Sequence, residues 1–217
     1  MPFPFFPFRR KKSKPVVRHK RNVEIPVTPM PIANEQVRRH FYNEPGFQAY
    51  GTFFAHWGGM ITAGHVLSEA QDKLPPFASG AVDAWPGGQN GLGLDAALIG
   101  CVLPQTSPAD PKPGQSVICR GYPAGSAHAA TRTAKVYMQR PGAPDTWIAR
   151  IFEPDEPVVT GMSGGPVFDA QTGEPIGILI TRNSPADLDN DRDPDESFDF
   201  VSLAGVWRAL NAGGNYV

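Results

Sequence analysis

Apolar residues recur along this chain in short runs, with turn formers between them. Gly51 to His56 and Met60 to Ala63 flank Trp57-Gly58-Gly59, the pattern of two strands joined by a tight hairpin. Ala96 to Leu103 is continuously apolar apart from a glycine and suits a strand buried on both faces. Further strands are predicted at Val117 to Tyr122, Thr131 to Gln139, Trp147 to Phe152, Pro166 to Asp169, Ile176 to Thr181 and Phe198 to Leu203. None is separated from the next by a helix long enough for a parallel crossover, so the pairing is predicted to be antiparallel. The one convincing helix lies at the end: Ser202 can cap it, Leu203, Val206 and Leu210 share a face, and Gly213-Gly214 stops it. Pro104 to Gly114 is the best internal linker. The pattern predicts an all-β fold of two antiparallel six-stranded β-barrels with a C-terminal α-helix. One barrel is expected over residues 23–108 and the other over residues 109–217.

Composition narrows the choices. A chain of 217 residues is one domain or two small ones, and 23 Gly with 24 Pro suit turn-dense β structure. No run reaches the roughly 18 apolar residues of a membrane-spanning helix. Two cysteines, Cys101 and Cys119, are too few for a disulfide scaffold or a cysteine zinc cluster; a single bridge stays open, but each lies in an apolar run, which favours two buried free thiols. The net charge of −1 conceals an asymmetry, since residues 1–22 carry eight basic side chains and no acid, leaving −9 on the rest. That opening places phenylalanines and prolines before the basic cluster, the reverse of a secretory signal. It reads as a disordered arm of a cytoplasmic protein, bacterial or host-cell. Phe3, Phe5, Phe6 and Phe8 favour peripheral attachment to an anionic membrane over nucleic acid as the arm's partner.

The densest chemical signal is Thr160-Gly161-Met162-Ser163-Gly164-Gly165-Pro166. A serine set among glycines lies where backbone can turn tightly and aim amide hydrogens at a substrate atom. A hydroxyl is a weak nucleophile near neutrality, so Ser163 needs a base, and the base needs an orienting acid. His65 follows an apolar strand in Thr62-Ala63-Gly64-His65, and Asp95 opens the apolar run in Asp95-Ala96-Ala97-Leu98. Taken singly, each has a bland reading as a packed histidine or a strand-initiating aspartate. Their joint occurrence in the order His, Asp, Ser does not.

Together with Gly51-Thr52-Phe53-Phe54, Gly121-Tyr122-Pro123 and Gly177-Ile178, these motifs make residues 33–210 resemble the trypsin-like serine peptidases, in a compact bacterial or viral form. The resemblance implies a serine endopeptidase acting through an acyl-enzyme. It makes Ser163 the nucleophile, His65 the base, Asp95 the orienting carboxylate, and the amides of Gly161 and Ser163 the oxyanion hole. It places the specificity pocket at Val158, Val159, Thr160, Leu179, Ile180 and Thr181, a mostly apolar set that implies medium apolar side chains at the cleavage position; Asp155, Glu156 and Asp199 leave a basic preference open, and the absence of a histidine from the wall strand argues against a glutamate-selective pocket. Ile180 to Arg182 would pair with substrate backbone. Met162 stands where secreted members carry an aspartate that pairs with a new N-terminus. The substrate is expected to be protein or peptide, with no cofactor.

Residues 187–199 alternate aspartates, but Arg192 and Phe198 occupy positions where a calcium loop needs glycine and glutamate, so a solvated acidic loop and no metal site are expected. Three other readings stay open on sequence alone: a catalytically silent binding module, a nucleic-acid-binding protein, and an assembly protein with a relic peptidase fold.

Overall fold

The computed structural model describes residues 37–44, 47–68, 82–85, 94–151, 157–183 and 196–212. The arm at 1–22, most of the acidic loop, Asp155 and Glu156 lie outside them. In the N-terminal half, β1 (Val37–Glu44), β2 (Phe47–His56), β3 (Gly59–Thr62), β4 (Val82–Trp85) and β5 (Ala96–Ile99) form an antiparallel sheet in the order β1-β2-β3-β5-β4. The β2–β3 hairpin turns on two residues, Trp57 and Gly58, both at positive φ (50° and 75°). That pairing is what a tight hairpin between right-twisted strands requires. All four residues of β5 are buried, as a strand hydrogen-bonded on both edges to β3 and β4 should be.

The expected six-stranded N-terminal barrel is not what the described residues form. They make five strands, with β1 and β4 at the two ends of the order and no ladder between them. The strand count along the sequence came from apolar runs. The β1 segment, Val-Arg-Arg-His-Phe-Tyr-Asn-Glu, lacks such a run, and the four-residue β4 is too short to show a period.

The C-terminal half does close. Strands β6 (Ser116–Gly121), β7 (Ala130–Gln139), β8 (Thr146–Ile151), β9 (Pro166–Asp169), β10 (Pro175–Asn183) and β11 (Ser197–Ser202) make a barrel in the order β10-β11-β8-β7-β6-β9. Closure removes exposed sheet edges, and alternate residues fill the interior. Val117 and Cys119 on β6, Ala134 and Val136 on β7, and Ala149 and Ile151 on β8 all point inward. Phe198 and Phe200 are fully buried there with centroids 6.3 Å apart and rings tilted by 52°. Burial of each such ring contributes about 1.5–3 kcal/mol.

The two halves share one core at their seam. Ile178 of β10 and Val201 of β11 point away from the barrel interior and pack with Phe53, Phe54, Ile61 and Leu98 of the sheet. Leu203 and Val206, on α2 (Leu203–Asn211), complete that cluster. Ser202 caps the helix, accepting a hydrogen bond from Gly205 N at 3.0 Å. The helix also ties down the linker: Trp207 Nε1 donates to Pro104 O at 2.9 Å, and Arg208 donates from both terminal nitrogens to Asp110 while also meeting Asp145. Among the described residues no helix is long and apolar enough to cross a membrane.

Candidate active site

Strand register brings His65 to Asp95. Because β3 and β5 run antiparallel with Thr62 opposite Ala97, the residues just after β3 lie beside the residues just before β5. His65 sits on the single helical turn α1 (Gly64–Ser68). Asp95 holds it twice: Oδ1 accepts from the His65 backbone N–H at 2.8 Å, and Oδ2 lies 2.6 Å from Nδ1. A carboxylate only accepts hydrogen bonds, so Nδ1 carries the proton and Nε2 is left as an acceptor. The carboxylate therefore sets both the tautomer and the plane of the ring.

Ser163 lies in a double turn in which Met162 N donates to Val159 O (3.1 Å) and Gly165 N to Met162 O (3.0 Å). Gly161 and Gly164 sit at φ +94° and +83°, and neither could carry a side chain. A Cβ on Gly161 would lie 2.6 Å from Ala124 N and Tyr122 O, and one on Gly164 would overlap Thr62 Oγ1 and Thr52 O. Gly164 thus seats the serine loop against Thr62 and Ala63, the strand end that leads into His65.

Thr52, fully buried, grips the loop from the other half of the molecule. Its hydroxyl donates to Gly161 O at 2.9 Å and accepts from Tyr122 N at 2.9 Å, while its backbone N–H donates to Ser163 O at 2.8 Å. Thr62 Oγ1 donates to Thr52 O at 2.7 Å and holds the threonine in turn. The peptide planes bearing the Gly161 and Ser163 amides are themselves fixed through their carbonyls: Thr160 O accepts from Ala124 N (2.8 Å), and Met162 O from Gly165 N. In a trans peptide the N–H points opposite the C=O. Among the described residues neither amide donates to another protein group, which leaves both able to meet an oxyanion. Met162, fully buried in the barrel core, anchors the loop by apolar packing. In the sequence Thr52 is marked only as a hydroxyl beside the apolar pair Phe53-Phe54.

A pocket of about 420 Å³ opens beside Ser163, lined by Val158, Val159, Thr160, Thr181 and Arg182. Two of the expected wall residues are elsewhere: Leu179 is fully buried in the barrel core and Ile180 packs on the seam cluster. The reason is a bulge. Leu179 pairs with Phe200 and Thr181 with Asp199, so Ile180 is an extra residue in β10 and the side-chain alternation restarts after it. Thr181 and Arg182 join Val158, Val159 and Thr160 in lining the pocket, so its wall mixes apolar with polar and charged side chains. Arg182 Nε lies 3.2 Å from Glu196 Oε1, whose side chain is 1% exposed. Asp199 is taken up by Arg140 and by Asn183 Nδ2 (2.7 Å), so it does not supply the pocket with an acid. This bonding to Asp199 raises the Arg140 pKa above its ordinary value. Both cysteines are free thiols, Cys101 only half-buried, and burial pushes the Cys119 thiol up to about 12, which makes it inert as a nucleophile.

A closed antiparallel barrel docked on a second β sheet, with a serine loop and a histidine–carboxylate pair at the seam, is the architecture of chymotrypsin-fold proteases. Two solved structures share the fold. The inactive form of Rv3671c from M. tuberculosis matches over 88% of this chain and 98% of its own, at 20% identity and a TM-score of 0.53. Catalytically active tobacco etch virus protease in complex with product matches over 90% and 86%, at 12% identity and a TM-score of 0.51. Residues 50–178 match the family model of the trypsin-like peptidase domain, and the chain belongs to that family. It is a serine endopeptidase, a hydrolase of protein or peptide substrates. No curated protein sequence matches the chain.

Proposed function

We propose that this peptidase cleaves through an acyl-enzyme built by Ser163, His65 and Asp95. The observation that carries the reading is the double grip of Asp95 on His65, at the strand end against which the serine loop packs. Ser163 Oγ attacks the scissile carbonyl while Nε2 of His65 takes its proton, and the Gly161 and Ser163 amides stabilise the oxyanion. The same proton passes to the leaving amine as the C–N bond breaks. Water then repeats the sequence on the ester, releasing the acid and restoring Ser163. Among the described residues Ser163 Oγ makes no hydrogen bond, as is common before substrate draws a catalytic pair together.

In the same reading the N-terminal sheet is the counterpart of a first barrel, and the chain divides into an arm (1–22), a half bearing His65 and Asp95 (23–108) and a half bearing Ser163 (109–217). Substrate backbone would join β10 at Ile180 to Arg182, since β9 pairs with β10 only as far as Ile178 and leaves that edge open among the described residues. The arm serves an anionic membrane surface. The mechanism is tested by labelling with a serine-directed phosphonate: covalent modification at Ser163, absent in Ser163→Ala, supports it. A wild-type chain that hydrolyses peptide esters yet retains that activity in Ser163→Ala refutes it.

A further inference from the structure

Among the described residues that line the pocket beside the nucleophile one is charged, and it is a cation. Arg182 is 28% exposed, while its counter-ion Glu196 is buried behind it. The other acid nearby on β11, Asp199, is committed to Arg140 and Asn183. Among the described lining residues, a side chain entering the pocket therefore meets Arg182 and no carboxylate. The contact with Glu196 is made through Nε, one edge of a planar fork that carries five N–H donors. Val158 and Val159 offer apolar sides for a short aliphatic stem, and Thr181 adds a hydroxyl at the rim.

We propose that Arg182 makes this pocket select a substrate residue with a carboxylate, Glu or Asp, immediately before the cleaved bond. The inference rests on the peptidase reading and adds the substrate class to it. An acidic side chain would accept from the fork, the pairing for which arginine geometry is best suited. A basic side chain would face like charge, and reaching Glu196 would require displacing Arg182. An apolar side chain would fit between the valines while burying the guanidinium without a hydrogen bond. Glu196 has a positioning role: it holds the guanidinium in place from the side away from substrate.

The test uses the full chain and peptides identical except for Glu, Asp, Gln, Leu or Lys before the scissile bond. A hydrogen bond to a charged group corresponds to a preference of about 10- to 100-fold in kcat/KM for Glu or Asp over Gln and Leu, with Lys slowest. Removing Arg182 alone would take a positive charge from beside a buried carboxylate, so the informative variant neutralises both groups, Arg182→Gln with Glu196→Gln. It should cut the Glu-to-Gln ratio by at least about tenfold while Ser163 still reacts with phosphonate. Arg182→Lys, which keeps the charge but loses the fork, should give an intermediate ratio and decides the matter if the double variant does not fold. Preference of the wild type for Leu or Lys, or an acid preference unchanged in the variants, overturns the proposal. A chain that labels at Ser163 and cleaves without regard to charge refutes this inference alone. A chain that neither labels nor cleaves refutes the peptidase mechanism with it.

Discussion

Replacing Thr52 with valine keeps the shape of the side chain and removes one oxygen, and the structure says what that oxygen does. In Thr52→Val the Gly161 carbonyl loses its donor and the Tyr122 amide its acceptor, at a position with no access to water. Leaving the buried Gly161 carbonyl and the part-buried Tyr122 amide without this partner costs about 1–4 kcal/mol of stability. The catalytic effect comes through geometry. With that clamp gone, the peptide between Gly161 and Met162 is held only by the Met162 N–H to Val159 O bond, and it lies between the two amides assigned to the oxyanion. Deleting one oxyanion donor outright costs about 10²- to 10³-fold in kcat, so misaligning the pair should cost about 10- to 100-fold. KM should move little, because Thr52 is not among the residues lining the pocket. Thr52→Ser restores the hydroxyl without the methyl group and should recover most of kcat. The assay is steady-state hydrolysis of a small peptide ester by wild type and both variants, below the melting temperature of the weakest. A Thr52→Val enzyme with wild-type kcat, or a Thr52→Ser enzyme as impaired as Thr52→Val, would refute the clamp.

Three further outcomes are expected. Ser163→Ala should lower turnover about 10⁶-fold and Asp95→Asn about 10⁴-fold, the latter because an amide donates to Nδ1 and moves the imidazole proton to Nε2; single-turnover ester cleavage measures both. Gly164→Ala places a Cβ against Thr62 Oγ1 and Thr52 O at φ +83° and should cost more than about 3 kcal/mol, read as a lowered urea midpoint with loss of activity. Deleting residues 1–22 removes a charge of +8 and should abolish sedimentation with anionic vesicles at low salt while small-peptide hydrolysis persists; a truncated chain that still sediments shows that the arm is not the anchor.

The parts of the fold visible in the sequence are those that one local rule controls. Alternation marked β7, the buried run marked β5, and Ser202 marked the helix start, since each depends on neighbours within a turn or a strand. His65, Asp95 and Ser163 could be picked out because strand ends and glycine turns are local signals too. What stayed hidden needed partners far along the chain. Thr52 meets Gly161 across 109 positions, and no local pattern reports that. Leu179 and Ile180 were misplaced because one bulge resets a period of two, and a bulge has no letter of its own. Arg182 was expected to act through its backbone, and Glu196 looked like one more acid on a solvated loop until β11 buried it behind the arginine.

The division of labour across the seam makes activity a reporter of assembly. In the proposed mechanism the base and its carboxylate, His65 and Asp95, belong to the N-terminal half and the nucleophile Ser163 to the barrel half, while Thr52 of one half holds the backbone of the other. Neither half alone holds a complete catalytic set. On that mechanism a chain emerging during synthesis would stay proteolytically silent until the barrel had closed and docked. The same logic makes the linker between β5 and β6 a natural place to cut the protein into two inert fragments whose reunion could be followed by the return of hydrolysis.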